Sequence, residues 1–84
     1  LRLQWKRAKS DYTLAIEEYS TSKDNLELAE RIEKKNQIKY SEGLATSFEL
    51  RQAQTQLYTT QQEYLQSMVD VINRKTELEN ILNQ

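Results

Sequence analysis

The 84-residue chain contains no proline, no cysteine, no histidine and a single glycine. Each absence removes a class of answer. Without proline, and with glycine at one place only, nothing outside that place readily breaks a helix. Without cysteine there is no disulfide framework, and the lack decides no compartment, because a cell-envelope protein and a cytosolic one can both do without it. Without histidine or cysteine, the usual activating base, the thiol nucleophile and the best metal ligands are missing, and no glycine-rich phosphate loop is present. Glu17/Glu18 and Glu77/Glu79 are adjacent or near-adjacent carboxylates, but they fall on exposed-looking helix faces with no cleft around them. The serines, threonines and tyrosines have no general base to activate them. The expectation is a segment that is not an enzyme and binds no cofactor or metal.

Long apolar runs are also missing: none approaches the roughly 20 residues that span a bilayer. A net charge of −1 exerts no general pull on nucleic acid or anionic membrane, and the basic residues are interleaved with acids rather than gathered on one face. Residues 1–39 carry nine Lys/Arg against seven Asp/Glu, whereas residues 40–84 carry three against six, so the halves lean to opposite signs. Leu1-Arg2-Leu3-Gln4 reads as the middle of a helix already running, with neither Met nor signal peptide. The expectation is therefore an excised piece of a longer protein whose membrane contact, if any, lies outside these residues.

What is present is helical pattern. Trp5, Tyr12, Tyr19 and Leu26 recur every seven residues, and Leu1, Ala8, Ala15, Ser22 and Ala29 form the companion set three residues on. This is an a/d stripe with large residues at one position and mostly small ones at the other. The polar run Ser20–Asp24 is a candidate break, rejected because the seven-residue phase passes through it from Tyr19 to Leu26. Glu33 and Asn36 then fall on the stripe and make it wetter, either as a splayed end or for a functional reason. Leu50, Ala53, Leu57, Thr60, Tyr64, Ser67, Val71, Leu78 and Ile81 repeat the large/small pattern in the second half, with Arg74 the charged intruder. A second set, Tyr58, Leu65, Met68, Ile72 and Leu82, widens that apolar face beyond what a two-stranded coiled coil needs. Leu14, Ile16, Leu28 and Ile32 give the first half a weaker version. Gln52 to Gln66 is glutamine-rich; such uncharged polar surface suits a wall around an aqueous passage and any solvated helix alike.

The two stripes meet at Tyr40–Leu50. Lys34, Lys35 and Lys39 place positive charge at a helix C-terminus, and Gly43 can take the left-handed conformation that closes it. Thr46 and Glu49 form an S/T-x-x-E pattern, in which the threonine oxygen and the glutamate carboxylate cap a new helix start. A connection of about five residues makes consecutive helices antiparallel neighbours. The predicted fold is all-α: one domain over 1–84, a long antiparallel helical hairpin with helix 1 over about 1–41, a tip turn over about 42–46 and helix 2 over about 47–83. Two such helices have one seam and no three-dimensional core, so side-by-side packing into a bundle or a ring of helices is expected.

The run from Ala29-Glu30-Arg31 through Lys39-Tyr40-Ser41-Glu42-Gly43-Leu44-Ala45-Thr46-Ser47-Phe48-Glu49-Leu50 to Leu57, followed by Gln62-Glu63-Tyr64-Leu65, resembles the C-terminal repeat of TolC-like outer-membrane efflux proteins. The matching signature residues are Tyr40, Gly43, Thr46 or Ser47, Glu49, Leu50, Ala53 and Gln54. The resemblance implies a fragment of a trimeric channel in the outer membrane of a Gram-negative bacterium. Its long α-helical barrel would stand in the periplasm, with hairpin tips that form the channel entrance and dock the helical hairpins of a periplasmic adaptor protein. On that resemblance the docking tip is Glu42, Gly43, Leu44, Ala45 and Ser47, and the residues near the entrance are Tyr40, Glu49 and Gln52. Glu42 stands where the family has an apolar valine. Ala45 and Gln52 stand where some members carry a basic residue and a second acid of a gate, so a weaker or differently built latch is expected. The alternatives are an adaptor-type or generic coiled-coil hairpin without channel function, and a cytosolic spacer or homodimeric scaffold. No Arg-x3-Leu-x6-Ser run of the adaptor type is present.

Overall fold

The lone glycine sits where the chain reverses. In a computed structural model, which describes residues 2–83, helix α1 runs over Arg2–Ser41 and helix α2 over Ser47–Leu82. The long dimension is 62 Å and the other two are 13 Å. A 40-residue helix is itself about 60 Å long, so α2 lies back along the whole of α1 and the protein is an all-α antiparallel hairpin. Leu1, the first member of the sequence stripe, lies outside the described residues. The polar run Ser20–Asp24 stays helical throughout. Among the described residues no helix is long and apolar enough to cross a membrane.

The register is fixed by one contact at mid-length. The Tyr19 and Tyr64 rings stack with centroids 5.3 Å apart and 29° between planes, and their hydroxyls share a hydrogen bond of 2.9 Å. Stepping outward by heptads in antiparallel sense places Tyr12 opposite Val71, Trp5 opposite Leu78, Leu26 opposite Leu57 and Glu33 opposite Leu50. The small positions then also face each other: Ala15 opposite Ser67, Ser22 opposite Thr60 and Ala29 opposite Ala53.

This arrangement explains an inverted burial pattern. The buried residues are Ala8, Ala15, Ala29, Ala53, Thr60 and Ser67, whereas the large seam residues are only half-buried. Where small side chains meet, the backbones approach and seal the layer. Where rings and leucines meet, they fill the flanks of a two-helix ribbon with nothing behind them, so among the described residues no large side chain is completely enclosed.

Buried hydroxyls are satisfied within their own helix: Thr60 Oγ1 donates to the Gln56 carbonyl at 2.8 Å and Ser67 Oγ to the Tyr64 carbonyl at 2.7 Å. The buried Trp5 Nε1–H has no acceptor among the described residues, while Lys9 Nζ lies 5.0 Å from the Trp5 ring centroid. Arg74, the charged member of the stripe, leaves the seam and pairs at 3.2 Å with exposed Glu77 one turn on. Toward the tip Glu33 and Asn36 remain half-buried, and the Asn36 amide donates back to the Ile32 carbonyl at 2.8 Å.

Candidate docking tip and outer seam

The tip is built by two backbone devices within the five residues, 42–46, that join the helices. Gly43 has φ +75°. Its N–H donates to the Tyr40 carbonyl at 3.1 Å, and the Leu44 N–H donates to the Lys39 carbonyl at 2.8 Å. These nested bonds are the Schellman closure, which cancels two orphan carbonyls of α1 and requires a left-handed residue where Gly43 stands. A Cβ at Gly43 would meet nothing within 4 Å, so the demand for glycine comes from the backbone and not from crowding. Three residues after Gly43, Thr46, in extended conformation, accepts the Glu49 N–H on its Oγ1 at 3.1 Å and starts α2. The reciprocal half of the expected capping box is not formed: no bond links the Glu49 carboxylate to the Thr46 N–H among the described residues. Glu49 still lies in the first turn, where its charge complements the helix dipole.

These devices set the exposure of the predicted site residues. Leu44 is the residue beyond the left-handed position, and 73% of it is exposed, so it projects from the turn instead of folding back. Glu42, Gly43 and Ser47 are exposed beside it, and Ala45 is half-buried beneath. Glu49 and Gln52 line one open groove with Ile32, Asn36 and Phe48 on a flat side of the ribbon. Tyr40 is exposed but lies outside that groove, and no side-chain hydrogen bond or ion pair joins it to Glu49 or Gln52 among the described residues. The entrance candidates are therefore neighbours and not a bonded latch.

A second surface runs the length of α2. Leu44, Phe48, Tyr58, Leu65, Val69 and Ile72 are all exposed, with Phe48 at 66%. Their spacing follows a second heptad line roughly 150° round the helix from the seam, given about 100° per residue. The predicted extra set, Tyr58, Leu65, Met68, Ile72 and Leu82, is likewise left uncovered by α1. Phe48 and Val69 belong to the line and were not part of that set; their signal is the 3–4 spacing that connects Leu44 to Phe48 and Val69 to Ile72. On α1, Leu14, Ile16, Leu28 and Ile32 are exposed as well.

The two flat sides differ in charge. The register sets Asp11 across from Asp70 and Glu18 across from Glu63 on one side, whose groove is lined by Glu17, Glu18, Glu63 and Asp70. On the other side it sets Lys9 across from Lys75 and Ile16 across from Met68.

In comparisons with known proteins, no family model, curated protein or solved structure matches the chain. The assignment of a role therefore rests on the residues of the tip and of the outer seam.

Proposed function

We propose that this chain is the periplasmic tip hairpin of an outer-membrane channel serving a tripartite efflux or type I secretion system. It would form part of the wall of a trimeric α-helical barrel and present its turn to a periplasmic adaptor protein. The observation that carries this reading is that α2 has two heptad seams and α1 covers only one of them. A two-stranded coiled coil needs one seam per helix, whereas a helix in a closed wall needs one for each neighbour. The tip signature resembles that of TolC-like channels, and the exposed Leu44 at the apex supports a docking role for it.

In this reading Gly43 sets the tight reversal, Leu44 with Ala45 and Ser47 offers the contact for the adaptor hairpin, and Glu42 makes that contact more polar. Tyr40, Glu49 and Gln52 stand near the entrance, where their lack of mutual bonds implies a loosely latched opening. The test is a cysteine at Leu44 in the full-length protein within its own cells. Crosslinking to an adaptor hairpin is expected; crosslinks that arise only from the far ends, at Leu3 or Leu82, would overturn the reading.

A further inference from the structure

The outer seam of α2 specifies a partner, and α2 itself meets the specification. Between Arg51 and Asp70 the only charged residue is Glu63, which lies off this line on the acidic flat side. The line itself carries two charges, Arg51 and Glu79. Both are exposed; among the described residues Arg51 has no ion pair, and Glu79 has only a 4.0 Å contact with Lys75. They are separated by four heptads, and the residue midway between them is Leu65.

That spacing has a symmetry consequence. An antiparallel two-fold through Leu65 sets Arg51 against the partner's Glu79 at each end, Tyr58 against the partner's Ile72, and Leu65 against its own copy. A parallel two-fold sets arginine on arginine and glutamate on glutamate. Laying the seam against α1 of a second copy with tips level brings Arg51 to Arg31. Of these three arrangements the antiparallel α2 pairing alone satisfies both charges while it sets Tyr58 on Ile72 and Leu65 on its copy; the alternate layer sets Val69 against Gln62 and Thr55 against Thr76.

We infer that the outer seam of α2 binds the same seam of a second copy of this chain, antiparallel, with the two-fold axis at Leu65. The paired length, from Phe48 to Leu82, is roughly 50 Å of helix, about five heptads. An antiparallel two-fold points the two tips in opposite directions, whereas hairpins in a channel wall point the same way, so this pairing and the wall are alternative occupants of the one seam.

Sedimentation equilibrium of the chain and two charge variants, with thiol crosslinking of two cysteine variants, tests it. A reversible dimer is expected. R51E, which faces glutamate with glutamate at both ends, raises the dimer dissociation constant about tenfold, and the charge swap R51E/E79R restores it. A short thiol crosslinker joins two copies through L65C and not through L28C, which sits on the outer edge of α1. A chain that sediments as a monomer overturns the proposal. So does a dimer indifferent to R51E or not restored by the swap, and so does crosslinking at position 28 in place of 65.

Discussion

At the scale of single residues, the hairpin depends on a few positions whose chemistry cannot be exchanged. Gly43 holds φ +75° in open space. Gly43→Ala therefore costs backbone strain alone, about 1–2 kcal/mol, and Gly43→Asn costs less, because asparagine tolerates the left-handed region. Thermal unfolding of the two variants checks the order. The Tyr19–Tyr64 pair makes a second test. Tyr64's phenol is raised above its ordinary value of 10.0, first by the hydrogen bond with Tyr19, then by burial, then by repulsion between the two phenolates. A raised folded value means that the native state holds the proton more tightly than the unfolded chain. The stabilisation is thus complete below pH 10 and is lost as pH rises through the folded value. Tyr19→Phe removes the main cause, so Tyr64 in that variant ionises nearer its ordinary value, as followed by phenolate absorbance. Equal titration of Tyr64 in both proteins would show that the hydroxyls do not meet.

At the scale of the elements, the seam depends on the alternation of large and small layers. Ala15 is 4% exposed and faces Ser67 where the helices come closest. Ala15→Leu should push the helices apart and cost about 1–3 kcal/mol, despite leucine's good helix propensity and apolar character. Denaturant unfolding measures it; an unchanged or raised midpoint would mean that the small layers are not close contacts. Arg74 gives the opposite expectation. Its pairing with Glu77 is an exposed one, so Arg74→Ala changes stability by less than about 1 kcal/mol while extending the small layer opposite Ala8.

Much of this was legible before the structure, because heptad phase and helix ends are local properties. Trp5, Tyr12, Tyr19 and Leu26 keep one phase across a polar run, and Gly43 followed by Thr46 and Glu49 marks a stop and a start. What escaped the sequence depends on geometry between helices. The Tyr19–Tyr64 contact needs the register, and the inverted burial of alanine over tyrosine needs the helix spacing. The full outer line of α2 was obscured because Arg51, Thr55 and Gln62 interrupt it. The missing half of the capping box reflects a free choice of rotamer for an exposed glutamate. At the site, the exposure of Leu44 followed from its place beyond the glycine, whereas the separation of Tyr40 from the groove holding Glu49 and Gln52 did not.

At the scale of the whole molecule, a ribbon of 62 × 13 × 13 Å has almost no interior and leaves a long apolar line unpaired. Such a surface is uncommon on a protein that acts alone, and in the proposed channel it would lie against neighbouring helices. Cysteine scanning of α2 in the assembled full-length protein tests this most directly, by comparing alkylation rates at Leu65 and Ile72 with those at Gln66 and Asn73 on the acidic side. Slow reaction is expected at Leu65 and Ile72 and fast reaction at Gln66 and Asn73. Equal, rapid labelling at all four positions would contradict it, since the outer seam of α2 would then face water in the finished assembly.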